Sequence, residues 1–172
     1  SIAVKVDTDQ CITLDLAEYL QDVASQLHER LVRQGCNLSL DVTPGLQLTV
    51  VTEALTEALT RIMGNCLDHA FAQPANAGTP TLCLRARQHA DIMQIDIIDN
   101  GKGIAAEELG RVFEPFFSTR SGNGEHVGLG LHIAWNQITQ RLQGEISIAS
   151  VPGEGCTVSI RLKAGTPVKV DR

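Results

Sequence analysis

The chain has 172 residues, 43% of them hydrophobic, and a formal net charge of −6. Its length provides one sizeable core and is short for two ordinary domains, so we expect a single globular domain. The acidic balance argues against binding to a nucleic-acid backbone, because such domains usually gather a basic excess on one face. The sequence contains no run of about 18 apolar residues and no charged-then-apolar leader. We therefore expect this segment in the cytoplasm, although a longer parent protein could be anchored in a membrane.

The five cysteines are odd in number, far apart in the sequence and never in a C-x-x-C arrangement. This pattern predicts neither a disulfide framework nor a zinc site. We expect small apolar packing residues at all of these positions, which are Cys11, Cys36, Cys66, Cys83 and Cys156.

The first third of the chain predicts a strand, a helix and two further strands. A short strand is expected near residues 11 to 14, and Asp15 can then cap a helix, with a glutamate three residues later. This helix should end near Gly35. Its apolar residues recur at helical spacing, namely Leu16, Leu20, Val23, Leu27 and Leu31. Residues 36 to 51 alternate between apolar and polar on both sides of a Pro-Gly pair, which predicts two short strands joined by a turn.

The remaining two thirds predict two more helices and two strand hairpins. A second helix is expected from about Thr52 to Phe71, with an inward face made by Leu55, Leu59, Ile62 and Cys66. Two strands should form a hairpin around residues 89 to 91, and a third helix over 128 to 144 should be followed by a hairpin around the turn VPGEG. Helices that alternate with hairpin-joined strands favour an α+β fold, a two-layer α/β sandwich with helices on one face of a mixed sheet.

The domain is predicted to end near residue 163. Residues 1 to 163 form the predicted domain, and residues 164 to 172, which lack a core pattern, are predicted to be a linker or tail. Within the domain, residues 105 to 127 are rich in glycine, irregular and too long for an ordinary connection. They are therefore a candidate functional lid.

The paired glycines of this chain suggest a nucleotide site of a less common kind. The phosphate loop G-x-x-x-x-G-K-[ST] and a G-x-G-x-x-G after the first strand are both absent from the sequence. Any nucleotide would have to be held in another way. Three separated pieces of the sequence suggest how.

The first piece lies on the second predicted helix. Arg61, Asn65 and Asp68 stand at i, i+4 and i+7 and so share one face, opposite the apolar stripe. The amide oxygen of Asn65, with apolar neighbours nearby, is a reasonable ligand for a magnesium ion that keeps most of its waters. A simply solvated helix face would show the same spacing.

The second piece is Asp99, in the run DNGKGI where a predicted strand stops and the backbone turns through Gly101 and Gly103. A carboxylate only accepts hydrogen bonds, so it can pair with the exocyclic amine of adenine but meets an acceptor oxygen on guanine. Glycines at this point remove side chains from the place where the base would lie. A plain turn at a strand exit would look similar.

The third piece is GLGL, residues 128 to 131, which opens the third predicted helix directly after the candidate lid. Backbone N–H groups at a helix N-terminus point outward unpaired and favour anions, and glycines let phosphates come close. The side chains of His126 and His132 flank this helix start and could approach phosphate. The glycines could instead serve close helix packing.

The order of these pieces resembles that of a known family. The chain contains RIMGNCLDHAF, DNGKGI, RVFEPFFSTR and GLGLHIAWNQITQRLQG in that order. These runs are similar to the N, G1, F and G2 boxes of the catalytic and ATP-binding domain of bacterial sensor histidine kinases, within the wider ATPase superfamily of DNA gyrase, Hsp90 and MutL. An F box shortly before GLGL distinguishes the kinases from those relatives. The resemblance covers nearly the whole chain and implies a Bergerat-type fold, with a mixed sheet of about five strands packed on three helices.

The resemblance also implies roles for individual residues. Asn65 matches the magnesium-coordinating asparagine, which would act in catalysis together with Arg61, and Asp99 matches the aspartate that reads adenine. Arg120 stands where relatives often have a basic residue that approaches the phosphates. The implied set of residues that bind ATP and Mg²⁺ is Asn65, Asp68, His69, Asp99, Gly101, Gly103, Ile104, Arg120, Gly128, Leu129, Gly130, Leu131 and Thr157.

Several positions depart from the family pattern. Arg61 stands where many members have asparagine, Asp68 replaces a common basic residue and Cys66 replaces alanine. Cys156 falls where a threonine is usual, with Thr157 one place later. These departures leave adenine recognition in place and bring phosphate handling into question. Arg61 could supply the missing positive charge, or it could pair with Asp68 on the helix surface.

The resemblance implies a catalytic domain that takes ATP as substrate and Mg²⁺ as cofactor, and passes the γ-phosphoryl group to a histidine on a separate dimerisation and phosphoacceptor domain of the parent protein. Such a domain would be a monomer in isolation, would serve a downstream response regulator and would contact neither nucleic acid nor membrane. Two other readings stay open: a degenerate module that senses nucleotide without transferring phosphate, and an ATP-gated clamp like those of gyrase or MutL.

Overall fold

The protein is described from a computed structural model, which defines residues 10–71, 78–115 and 130–165. The elements in these ranges are β1 (Ile12–Asp15), α1 (Leu16–Gln26), α2 (His28–Arg33), β2 (Asn37–Val42), β3 (Gln47–Val50), α3 (Thr52–Asn65), β4 (Thr81–His89), β5 (Ile92–Asp99), α4 (Ala106–Leu109), α5 (Gly130–Asn136), β6 (Glu145–Val151) and β7 (Gly155–Lys163). Both α3 and α5 continue into a turn of π-helix, over Cys66–Ala70 and Gln137–Arg141. No helix in the described ranges is long and apolar enough to cross a membrane.

Five strands form the main sheet, in the order β2-β4-β5-β7-β6. β2 pairs with β4 in parallel, and the other neighbours are antiparallel. The predicted hairpins β4–β5 and β6–β7 and the predicted mixed sheet are thus confirmed. The two strands on either side of the Pro-Gly turn are also present, but they belong to different sheets, because β3 pairs with β1 in a separate two-stranded sheet.

One face of the main sheet makes the core with the helices. Side chains of a strand alternate between the two faces, and three alternate residues in each of β4 and β5 are fully buried, namely Leu82, Leu84, Ala86, Met93, Ile95 and Ile97. These residues belong to one cluster with the predicted inward face of α3, which is Leu55, Leu59, Ile62 and Cys66. Each fully buried leucine or isoleucine contributes about 2 kcal/mol to folding. This layer therefore fixes how α3 lies on the sheet.

The opposite face of the sheet is polar. The carboxylate of Asp41 on β2 accepts hydrogen bonds from Arg87 at 2.7 Å and from Arg85 at 3.1 Å. These bonds, with the one from Arg87 the stronger influence, lower the pKa of Asp41. One apolar and one polar face is the pattern of a two-layer sandwich, and the predicted fold class is confirmed.

The first helix begins where the sequence predicts and is interrupted before its predicted end. The backbone N–H of Glu18 donates to Oδ1 of Asp15 at 3.0 Å, which is the predicted cap. Leu27 leaves helical geometry, with φ −102° and ψ 5°, and divides the predicted helix into α1 and α2. Gly35 follows with φ +63°, a left-handed conformation that suits the predicted stop.

Two predicted boundaries differ from the structure. The candidate lid begins with the short helix α4 and with Val112, which is buried in the core, so residues 105–115 are part of the folded body. Residues 116 to 127 lie outside the described residues. At the other end, the N–H of Ala164 donates to the carbonyl of Asp91 at 2.7 Å, and its carbonyl accepts from Thr49 at 3.0 Å. The fold therefore includes Ala164 and Gly165, which were predicted to start the tail.

Candidate functional site

Asp99, the last residue of β5, is a buried carboxylate held by three donors. Its Oδ1 accepts from the backbone N–H of Gly101 at 2.9 Å and of Cys156 at 3.3 Å. Its Oδ2 accepts from the thiol of Cys66 at 3.5 Å. Only 6% of the residue is exposed, and this burial raises the pKa of Asp99 against the opposing effect of its hydrogen bonds. The chain thus holds a fixed acceptor, with lone-pair capacity left on Oδ2.

The loop that follows Asp99 is held by the β6–β7 turn. Gly103 has φ +73°, and a Cβ at this position would lie 2.4 Å from the carbonyl oxygen of Val151. The backbone N–H of Ile104 donates to Oγ of Ser150 at 2.7 Å. Close packing of two backbones is therefore a sufficient reason for glycine at position 103. Sequence reasoning offered the nucleotide or a plain turn as reasons for this glycine and did not identify Ser150.

Cys156, and not Thr157, is the β7 residue that shares a sheet face with Asp99. In the β5–β7 register, Asp99 stands opposite Cys156, and Ile98 stands opposite Thr157. Because successive side chains of a strand point to opposite faces, Thr157 lies on the other side of the sheet. The predicted contact of Thr157 with the nucleotide is corrected accordingly. The thiol of Cys156 donates to Oγ of Ser150 at 3.1 Å.

Asn65 ends α3 at the point where the helix widens into its π turn. Its side chain is half-buried and makes no hydrogen bond to another described residue. Cys66, the next residue, contacts Asp99, so the two neighbours reach different parts of one site. Single π turns inside helices are frequent at functional sites.

The charged residues around Asn65 are paired on the protein surface. Arg61 pairs with Glu57 at 3.7 Å, and Asp68 pairs with Arg30 of α2. The alternative that Arg61 pairs with Asp68 is therefore wrong. A π turn has more residues per turn than an α-helix, so Asp68 is rotated away from the face that Arg61 and Asn65 share. Nothing in the sequence around Asp68 indicated Arg30, which is 38 residues away.

The start of α5 packs beside α3. A Cβ on Gly130 would lie 4.0 Å from the carbonyl oxygen of Arg61, and Leu131 is buried in the core. His69, on the π turn after α3, is half-buried. The predicted site residues Arg120, Gly128 and Leu129 lie outside the described residues.

His132 binds the F-box backbone. Its Nδ1–H donates to the carbonyl of Phe113 at 3.0 Å, because a carbonyl can only accept. Its Nε2 then accepts from the side-chain amide of Asn136 at 3.2 Å. Both ring nitrogens are used, which corrects the expectation that His132 approaches phosphate. The bond joins α5 to Phe113, in the described part of the candidate lid.

The fold and this arrangement of carboxylate, amide and glycines define an ATP-binding domain. A family model described as histidine kinase-, DNA gyrase B-, and HSP90-like ATPase matches residues 50–166. The chain belongs to this ATPase family, and within it to the ATP-binding catalytic domains of sensor histidine kinases.

Two relatives illustrate the match in sequence. Sensor histidine kinase AtsR of Burkholderia thailandensis is 30% identical over 162 residues, which cover 92% of this chain and 26% of that protein. The alginate biosynthesis sensor protein KinB of Pseudomonas aeruginosa is 32% identical over 143 residues, which cover 79% of this chain and 22% of that protein. The chain thus spans about a quarter of the length of these relatives.

Solved structures show the same fold. The nucleotide-free catalytic domain of histidine kinase ThkA has a TM-score of 0.73 at 17% identity, over 90% of this chain and 95% of that domain. Full-length ShkA in complex with AMPPNP has a TM-score of 0.76 at 19% identity, over 91% of this chain and 32% of that protein. The predicted architecture, a mixed sheet with helices on one face, is therefore that of histidine kinase catalytic domains.

Proposed function

We propose that this domain binds Mg²⁺·ATP and transfers the γ-phosphoryl group to a histidine on a separate dimerisation and phosphoacceptor domain. The observation that carries the proposal is the carboxylate of Asp99, which is buried and oriented by the backbone of Gly101 and Cys156. A buried charge of this kind is expensive to keep without a purpose. Asp99 lies at the end of β5 and contacts Cys66 at the end of α3, a position that suits the recognition of a nucleotide base.

At the base end, Oδ2 of Asp99 is proposed to accept from the exocyclic amine of adenine. Guanine would place its O6 acceptor against the same oxygen, and two acceptors cannot hydrogen-bond to each other. Sites built to hydrogen-bond a substrate group reject analogues without that group strongly, by about 10⁴-fold in favourable cases. Adenine selectivity is therefore the first expected property of the site.

At the phosphate end, the residues present fit a magnesium ion. The half-buried amide of Asn65 makes no hydrogen bond to another described residue, so its oxygen is available as a ligand. Mg²⁺ prefers oxygen ligands and usually keeps several waters, so one amide oxygen beside the phosphates is a sufficient contribution from the protein. When bound, the ion would neutralise charge that develops during phosphoryl transfer.

Arg61 is proposed to supply positive charge to the phosphates. Its side chain is 48% exposed, and its pair with Glu57 is long, at 3.7 Å. Exposed pairs of this kind contribute about 0–1 kcal/mol, so Arg61 can exchange Glu57 for a phosphate at little cost. Arg120, Gly128 and Leu129 keep their predicted roles at this end.

The proposed partners are the phosphoacceptor domain of the same parent protein and a response regulator. One solved relative is histidine kinase ThkA in complex with response regulator protein TrrA, which supports the second of these. We also propose a cytoplasmic location for this domain. All five cysteines are free, as suits a reducing compartment.

The proposal is tested by calorimetric titration of the domain with a non-hydrolysable ATP analogue and Mg²⁺, in parallel with the matching GTP analogue and with the Asp99→Asn variant. We expect binding to the wild type that is selective for adenine and lost in the variant. The folded state of the variant, measured by circular dichroism, is the control. Absence of binding to folded wild-type protein would refute the proposal.

The alternative of a degenerate, nucleotide-sensing module is favoured by one observation. Asp68, at a position where the family commonly has a basic residue, is a carboxylate held by Arg30. Time-resolved transfer of ³²P from ATP to a supplied acceptor domain separates the two functions. Sustained labelling of the acceptor histidine supports transfer, whereas binding without labelling supports the sensing module.

A further inference from the structure

The thiol of Cys66 lies against the carboxylate of Asp99. Its Sγ is 3.5 Å from Oδ2, the oxygen that receives no backbone donor from the described residues. Cys66 is 4% exposed and is the first residue of the π turn. The two carboxylate oxygens therefore have different partners: Oδ1 is filled by two backbone N–H groups, and Oδ2 receives one thiol.

The thiol of Cys66 is the donor in this contact, because a carboxylate oxygen only accepts hydrogen bonds. A protonated thiol next to a carboxylate oxygen can only donate to it. Because the side chain is enclosed by the core and by Asp99, the direction of this bond is fixed.

The geometry points to Cys66 as a positioning residue for adenine selectivity: its thiol occupies one lone pair of Asp99 Oδ2 and leaves the other for the exocyclic amine of adenine. This inference rests on the proposed function of Asp99. A carboxylate oxygen has two acceptor directions, so one fixed donor leaves one direction for the base. The cysteine thus orients the charged acceptor that meets ATP.

The surroundings of Asp99 make this effect measurable through pH. Among the residues that the structure describes, the titratable groups coupled to or in contact with its carboxylate are three thiols, those of Cys66, Cys156 and Cys36. Thiols ordinarily titrate at about pH 8.5, well above the range in which a carboxyl titrates, so the three thiols stay neutral while Asp99 titrates. The thiol bond from Cys66 lowers the pKa of Asp99. Its removal should therefore let Asp99 take up its proton at a higher pH.

The test compares Cys66→Ala with Cys66→Ser, which keeps a donor. The matched control is Cys36→Ala, since Cys36 is also buried in the core but its thiol donates to the carbonyl of Asn37. Calorimetry measures the affinity for ATP and for purine riboside triphosphate, which lacks the exocyclic amine, between pH 5 and 8. We expect Cys66→Ala to lower ATP affinity about three- to tenfold at pH 7 without changing the affinity for the analogue. As the pH is lowered, the preference of Cys66→Ala for ATP over the analogue should also be lost at a higher pH than in the wild type.

The Cys66→Ser and Cys36→Ala variants should keep the wild-type preference for ATP within about threefold. An equal loss of affinity for both nucleotides in Cys66→Ala would mean that Cys66 only fills space, and would overturn the inference. So would an unchanged preference and pH profile. Failure of the wild type to prefer ATP over the analogue would instead refute the role of Asp99, and with it the proposed function.

Discussion

The two ends of the proposed nucleotide site are built in different ways. At the base end, Asp99 is 6% exposed and receives donors from three separate parts of the chain. At the phosphate end, the side chains of Arg61 and Asp68 are 48% and 39% exposed and are paired with Glu57 and Arg30. Buried polar groups must be satisfied by the protein itself, whereas exposed ion pairs contribute little. The base end is therefore complete without nucleotide, and the phosphate end is free to rearrange around one.

This difference assigns two properties of the domain to different residues. In the proposed function, selectivity for the base would depend on a fixed acceptor, and so on the packing that holds Asp99. In the proposed function, affinity and transfer would depend on charge at the phosphates, and so on Mg²⁺ and on side chains that can change partners. Substitutions that affect the base end should accordingly change stability as well as binding, and those at the phosphate end should change binding alone.

The largest effect is expected from Gly155→Ala. Gly155 has φ +100°, and an added Cβ would lie 2.0 Å from the backbone carbonyl oxygen of Asp99, which cannot move without disturbing β5. Strain and overpacking together should lower the free energy of unfolding by about 3 kcal/mol or more. Urea unfolding measures this.

The matched control is Gly153→Ala, in the same turn. Gly153 also has a positive φ, of +82°, but an added Cβ would meet nothing within 4 Å. Only backbone strain applies, so we expect a loss of about 1 kcal/mol. Equal losses in the two variants would show that the contact with Asp99 is unimportant and that the base end is less rigid than its packing indicates.

Asn65→Ala should have the next largest effect, on binding alone. Removal of the amide oxygen should weaken ATP binding in the presence of Mg²⁺ by about tenfold or more, since even groups that only orient a metal ligand have effects of this size. Binding without Mg²⁺ should be unchanged, and so should the free energy of unfolding within about 0.5 kcal/mol. Titrations with and without Mg²⁺ measure the difference.

Asn65→Asp is the control, because it keeps an oxygen ligand at the same place and should retain the gain in affinity that Mg²⁺ provides. If the alanine variant retained this gain, Asn65 would not be the metal ligand. The phosphate end would then not depend on a metal ion held by Asn65.

A smaller effect, of opposite sign, is expected for the stability of Asp99→Asn without nucleotide. Burial raises the pKa of Asp99 above that of the unfolded chain. The folded protein therefore binds a proton on Asp99 more tightly than the unfolded chain does. This stabilises the folded state below the unfolded pKa, about 4, and the stabilisation is lost as the pH rises through the pKa of Asp99 in the folded protein. At pH 7 the charged side chain therefore opposes folding, and its amide variant should be more stable by about 0.5–1 kcal/mol.

Urea unfolding at pH 7 and at pH 4.5 checks the sign, because the advantage of the variant should shrink at the lower pH. A variant that is less stable than the wild type at pH 7 would mean that the hydrogen bonds to the carboxylate outweigh its burial. The base end would then be stabilised by its charge, contrary to the comparison above.

Much of this fold could be predicted because its signals are local. The Asp15 cap, the stop at Gly35, the inward face of α3 and the β4–β5 hairpin each depend on residues close in sequence. The position of Asp99 at a strand end was predictable for the same reason. Local turn chemistry and periodicity decide these features before any tertiary contact forms.

The parts that sequence reasoning missed depend on distant pairing or on strand register. Nothing near β2 indicates that it pairs in parallel with β4. Thr157 was chosen over Cys156 because residue type was considered without register, and a shift of one residue along a strand exchanges its two faces. The thiol of Cys66 was expected to be inert packing, and its bond to Asp99 joins residues 33 positions apart.

The smallest effect is expected from Asp68→Asn, and it tests the phosphate end directly. The pair of Asp68 with Arg30 is partly exposed, so its loss should lower the free energy of unfolding by about 0.5 kcal/mol, and less at high salt. A double-mutant cycle with Arg30→Met isolates the coupling between the two side chains. Because Asp68 points to Arg30 and away from the face of Asn65, ATP affinity should change less than about threefold. A rise of tenfold or more would mean that the Asp68 charge repels the phosphates, and that its pair with Arg30 does not keep it away from the phosphate end.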